Sequence, residues 1–147
     1  MIVHVKEFEA VDVPEITLRC AVFDERLQRL VHSIEFFEVN DKMLGVIDSE
    51  THILETKSIY YFESVDNKLF IYTKDEVYQS DLKLYEVEAM LQMQSFIRIS
   101  KSMIVNLRKI RRIIPGFHRR FIAELLNGEN VIISRQYAPI LKEKLGM

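Results

Sequence analysis

Three stretches of this chain carry a polar or basic side chain where a strand would end or a hairpin would turn. They are 62–68 (FESVDNK), 96–107 (FIRISKSMIVNL) and 126–137 (LNGENVIISRQY). Lys68 falls at a hairpin tip, Lys101 in a short polar loop, and Arg135 at a strand-to-helix junction. Loops on a rigid β-scaffold are where recognition residues commonly sit. Cations at such points suit electrostatic capture of a polyanion.

Other chemistry is poorly provided for. The four glycines, Gly45, Gly116, Gly128 and Gly146, are too far apart for a dinucleotide loop or a P-loop. No serine sits in a Gly-x-Ser-x-Gly elbow. His4, His32, His52 and His118 are scattered. Asp48, Glu50 and His52 would share one strand face, but a solvated loop explains them equally well. Cys20 lies in an apolar run and reads as a small core residue, and one cysteine allows no internal disulfide framework. The sequence supports neither an enzyme nor a cofactor, metal or small-molecule substrate.

The 147 residues carry 20 Lys+Arg and 22 Asp+Glu, a net charge of −2, which taken alone argues against a nucleic-acid partner. The total hides a split. Residues 1–49 hold five Lys/Arg against ten acids, and residues 50–95 hold four against nine. Residues 96–147 hold eleven against three, a local excess of +8. Arg108, Lys109, Arg111, Arg112, Arg119 and Arg120 fall within thirteen residues that contain no acid. Such asymmetry speaks of partners, not of fold. No apolar run approaches the ~20 residues of a membrane span. The acidic, alternating start lacks the features of a secretory signal, so a cytoplasmic setting is expected.

The elements that must position these residues are mostly strands. Residues 2–9 alternate apolar and polar, and 16–23 read as a second strand. Asp24 is a plausible N-cap for an amphipathic helix over about 24–37, with Leu27, Leu30, Val31 and Ile34 on one stripe. A strand is expected at 42–47, a hairpin of 57–65 with 68–73, and a short strand at 77–79. Ser80 or Asp81 would cap a helix running to about 94, with Leu84, Val87 and Leu91 on one face and Leu82, Tyr85 and Ala89 beside it. Strands follow at 96–99 and 112–114, with apolar 103–105 between them. Residues 120–126 and 130–134 flank Asn127-Gly128, a strong hairpin signal. A last helix, about 136–145, carries Tyr137, Ile140, Leu141 and Leu145 on one stripe, with Pro139 in its first turn.

The three stretches together resemble the LytTR family of bacterial DNA-binding domains. The family pattern Phe-x-Arg-x-His-(Arg/Lys)-Ser-x-x-Val-Asn is matched by 96–106, and Asn-Gly…(Val/Ile)-Ser-Arg-x-Tyr by 127–137, in order and at the right distance. Ser100 departs from the pattern, standing where the family often has His. The resemblance covers roughly residues 50–147. It implies a mainly β, α+β fold: an elongated stack of small antiparallel sheets, preceded here by a short strand–strand–helix extension over 1–49. It also implies that bases of duplex DNA are read in the major groove through loops. Carried over by position, Asn67, Lys68, Lys101 and Arg135 are the base-contacting candidates. Arg suits bidentate contact with guanine, and Lys can reach the same acceptors. Ser102, Asn106, Arg119 and Arg120 would hold phosphates, as would Arg98, which as a strand residue could equally be a structural partner. Asn106 could equally be a structural cap.

The resemblance further implies a transcriptional regulator acting on double-stranded DNA, often at paired direct repeats. Residues 1–49 are too few for a receiver domain, so Asp12, Asp24, Asp41 and Asp48 are not read as phospho-acceptors. Homodimerisation, docking of a partner such as a small membrane-protein regulator, and capping of the β-stack are comparable roles for this extension. The competing reading is a protein-interaction module whose basic face docks an acidic partner. A third, single-strand or RNA binding by Tyr60, Tyr61, Phe70 and Tyr72, competes with a plain core role for these rings.

Overall fold

The computed structural model describes residues 16–39, 41–92 and 94–147. The strand expected over 2–9 lies outside them. Residues 16–23 are not a strand: they are irregular, with Ile16, Val22 and Phe23 exposed. β-propensity alone does not make a strand, because a strand needs a neighbouring ladder, and this segment pairs with none among the described residues. Cys20 is accordingly exposed and not part of a core.

Helix α1 (Glu25–Val39) starts where its cap predicts, with the Asp24 carboxylate accepting the Leu27 amide at 3.0 Å. Leu27, Leu30, Val31 and Ile34 form its half-buried stripe. The strands that follow are β1 (Lys42–Ile47), β2 (Glu50–Glu55), β3 (Tyr61–Val65), β4 (Lys68–Tyr72) and β5 (Val77–Ser80). After helix α2 (Leu84–Met90) come β6 (Phe96–Ser100), β7 (Met103–Asn106), β8 (Ile110–Pro115), β9 (Phe121–Leu125) and β10 (Asn130–Ile133). Helix α3 (Ala138–Leu145) closes the chain. The architecture is thus antiparallel β with three helices, as expected.

Seven strands form one sheet in the order β2-β1-β5-β4-β3-β7-β6, and three form another, β10-β9-β8. Strand β1 precedes residue 49 yet pairs along its whole length with β2, so the large sheet runs across that position. The period-two alternation of the strands gives the large sheet two apolar faces. Phe62, Leu69, Ile71 and Ile104 point to one, where Leu84, Val87 and Leu91 of α2 cover them. Tyr61, Ile97, Ile99 and Val105 point to the other, against Ala123, Leu125, Val131 and Ile133 of the small sheet and Leu141 of α3. Burial of these side chains is what holds the layers together.

Two helices differ from their sequence reading. Helix α2 begins at Leu84, not at 80 or 81. Ser80 pairs with Leu69 as the last residue of β5, and its hydroxyl accepts the Leu82 amide at 3.2 Å. Tyr85 and Ala89 face solvent. In α3 the buried stripe is Ala138 and Leu141, whereas Ile140 and Leu145 are exposed. Packing against the small sheet and β6 takes Ala138 and Leu141, three residues apart, as the inward face.

Candidate nucleic-acid interface

Each turn that carries candidate residues grows from a local sequence rule. Asp66 and Asn67 both adopt left-handed φ, 50° and 61°, between the paired ends Val65 and Lys68. Two consecutive positive φ values define the tight turn whose twist matches a hairpin, and Asp and Asn tolerate them best after Gly. Asn67 and Lys68 are exposed there. The β6–β7 turn is braced from behind by Arg98. Its Nε donates to the Ser100 carbonyl at 2.9 Å, one Nη donates to the Lys101 carbonyl, and the other meets the Glu88 carboxylate at 2.6 Å. The Ser102 amide donates to the Ser100 hydroxyl at 3.2 Å. Lys101 and Ser102 are left exposed at the tip.

The tertiary structure brings these turns to one end. Glu63 of β3 faces Met103 of β7, and the Ser64 amide donates to the Ser102 carbonyl at 2.8 Å. The Asp66–Asn67 turn and the Lys101–Ser102 turn are therefore neighbours. A bulge in β6 leaves Ile99 without a partner opposite in β7. Its carbonyl accepts the Ser134 amide instead, at 2.8 Å, which seats Arg135 beside the β6–β7 turn. Ile133 pairs with Phe121, so the β8–β9 turn carrying Arg119 and Arg120 also lies at this end. Arg119, Phe121, Arg135, Ala138, Pro139 and Lys142 line a cleft of about 470 Å³. Lys142 Nζ sits over the Phe121 ring, 4.8 Å from its centroid. Among the described residues, Lys68, Lys101, Arg119, Arg120, Arg135 and Lys142 pair with no acid.

Two of the expected phosphate contacts are placed differently. Asn106 is 1% exposed, at the far end of β7 from the turn. Its Nδ2 donates to the Ile59 carbonyl at 2.8 Å and its Oδ1 accepts the Arg108 amide at 3.0 Å. A side chain so buried cannot reach a phosphate, and its role is structural. Arg98 spends its guanidinium on the β6–β7 turn and Glu88, with 21% of the side chain exposed, an arrangement that braces the turn.

The run 108–120 is also not one patch. Arg108 donates to the Ser95 hydroxyl at 3.1 Å, and Lys109 sits 5.1 Å from the Tyr60 ring centroid. Arg111 and Arg112 both pair with Glu124. Only Arg119 and Arg120 of this run reach the common end. Lys142 was not expected there, and no pattern in its neighbourhood marks it. It is found only because α3 packs with Ala138 and Leu141 inward, which turns Lys142 toward Phe121.

Tyr61, which is buried, and Tyr72, which is half-buried, stack on each other with ring centroids 4.2 Å apart. The Tyr61 hydroxyl donates to Glu129 at 2.9 Å and that of Tyr72 to Glu63 at 3.2 Å. Burial, followed for each by its carboxylate partner, pushes both phenols above their ordinary range. Of the four rings considered for base stacking, Tyr60 and Tyr61 are buried, whereas Phe70 and Tyr72 are half-buried. Glu50 and His52 lie 3.5 Å apart in the β1–β2 hairpin, and no third metal ligand joins them among the described residues. No helix among the described residues is long and apolar enough to cross a membrane.

The β-scaffold gathers on four turns at one end cations that pair with no acid among the described residues, an arrangement suited to a polyanion. Strands separate every pair of successive helices, so no helix-turn-helix is present among the described residues. The chain belongs to the LytTR family: the LytTr DNA-binding domain model matches residues 49–146. It is similar to an uncharacterized HTH-type transcriptional regulator of Staphylococcus aureus (strain MSSA476), 26% identical over 147 residues, covering 100% of this chain and 97% of that one. A counterpart in strain NCTC 8325 / PS 47 is 26% identical over 132 residues, covering 90% and 89%. Among solved structures it resembles the LytTr DNA-binding domain of a Bacillus cereus protein described as a methyl-accepting/DNA response regulator. That match has a TM-score of 0.70 at 28% identity, covering 73% of this chain and 98% of the other.

Proposed function

We propose that this chain is a transcriptional regulator that binds a preferred duplex DNA sequence through its β-turns. The observation that carries the reading is the convergence of the turns at 66–68, 101–102, 116–120 and 134–135 on one end, with their cations unpaired. Lys68, Lys101 and Arg135, aided by Asn67, read bases in the major groove. Ser102, Arg119, Arg120 and Lys142 hold the backbone and fix register. The acidic stretch over 1–49, whose β1 is paired into the large sheet, is kept from the duplex by its charge and serves homodimerisation, docking of a partner or capping of the β-stack.

Fluorescence anisotropy tests this with a duplex selected from random sequence and a scrambled control, across a salt series. Arg135→Ala should lose about 1–3 kcal/mol on the selected duplex and little on the control, relaxing sequence choice. Arg119→Ala should weaken both alike and reduce the salt slope by about 0.9. Recovery of no preferred sequence would sink the specificity claim. Affinity no better than for an unrelated polyanion would favour an acidic protein partner.

A further inference from the structure

The β8–β9 turn does more than carry two arginines. Phe117, the residue just before the His118–Arg119 tip, is 88% exposed, more than any other large apolar side chain among the described residues, and it packs in neither core. The turn that holds it is tightly built. The Gly116 amide donates to the Arg120 carbonyl at 2.8 Å and the Arg120 amide to the Phe117 carbonyl at 3.1 Å. His118 and Arg119 both stand in left-handed backbone, φ 56° and 62°. That conformation is costly for side chains of their size and persists only where the surroundings fix it. Gly116 leaves little room for a substitute, since an added Cβ would lie 3.2 Å from the Arg120 carbonyl oxygen. A strained, hydrogen-bonded turn thus presents an aromatic ring to solvent, next to two cations that meet no acid, at the end where the proposed DNA contacts gather.

We propose that Phe117 is an apolar wedge that presses into a base step of the bound duplex and bends it. The inference rests on the DNA-binding reading above. Its chemistry is that of architectural proteins, which insert an apolar side chain between partly unstacked bases and repay the unstacking with extra backbone contact. Arg119 and Arg120 supply that contact beside the ring. The charge around Phe117 favours a polyanion over an apolar protein surface as the occupant. An aromatic ring at the shoulder of a fixed turn also brings its area at small conformational cost.

The experiment uses the full chain and its selected duplex, labelled at both ends for energy transfer, with 2-aminopurine walked through the site. Wild-type binding should shorten the end-to-end distance and brighten 2-aminopurine at one step. Phe117→Ala should abolish both signals and weaken binding on the order of tenfold, the scale of one lost base–aromatic contact. Its salt slope should match wild type, because no phosphate contact is removed. Phe117→Leu should recover part of the bend. The exposed position makes loss of fold an implausible cause, and an unchanged urea midpoint checks that. If Phe117→Ala binds and bends the duplex as wild type does, the wedge is wrong while the DNA-binding reading stands. If wild type forms no complex with any duplex, both fail together.

Discussion

Replacing Asn106 separates a structural amide from a DNA ligand. In Asn106→Ala the Ile59 carbonyl loses its donor, and Ile59 is fully buried, so water cannot replace it. An orphaned buried acceptor costs about 1–3 kcal/mol. The Arg108 amide loses its acceptor too, but Arg108 is exposed and water recovers part of that loss. Together these give about 2–3 kcal/mol, with a small addition for the void. In a chain of this size that corresponds to a fall of about 10 °C in Tm. Urea unfolding followed by circular dichroism should show the midpoint falling at constant slope. DNA titrations at several salt concentrations, on protein still folded, should give wild-type affinity and salt dependence. The opposite pattern, an unmoved urea midpoint with weaker DNA binding and a flatter salt slope, would falsify the structural assignment and return Asn106 to the phosphate set.

Three further outcomes follow from the same geometry. Arg98→Ala should loosen the β6–β7 turn, seen as faster hydrogen exchange at Ser102, with Lys101-dependent DNA affinity falling several-fold; unchanged exchange would refute the bracing role. Gly45→Ala should destabilise by about 1–3 kcal/mol, because the new Cβ would lie 2.7 Å from Tyr78 Cβ and 2.9 Å from Leu54 Cδ1. A wild-type urea midpoint in that variant would show that the sheet yields there. Tyr61 and Tyr72 have raised phenol pKa values in the folded state. Their stabilising contribution is therefore complete below the unfolded value of about 10 and is lost as pH climbs through and beyond it, when the unfolded chain releases these protons first. Tyr61→Phe with Tyr72→Phe should flatten the fall in stability between pH 9 and about 11, and an unchanged profile would count against the coupling.

Local rules made much of the chain legible. Asp24 capped its helix, Asp66-Asn67 made its hairpin, and Asn127-Gly128 turned β9 into β10. These succeeded because caps and turns depend on neighbours a few residues away. The strand expected over 16–23 and the early start of α2 failed for the converse reason. A strand exists only with a partner, and Ser80 was claimed by its pairing with Leu69.

The sequence by itself determined the kind of surface: an excess of cations in the last third, and polar groups at the turns of a β-scaffold. Residue order could not say which cations share a surface, because that depends on strand order and on which ends of antiparallel strands meet. The tertiary structure decided it. Through the Ser64–Ser102 and Ser134–Ile99 hydrogen bonds it joined turns that are distant in sequence. It drew Lys142 to Phe121, sent Arg111 and Arg112 to Glu124, and buried Asn106. Charge is a property of residues, whereas availability of charge is a property of pairing and burial, and those are set only when the sheets assemble.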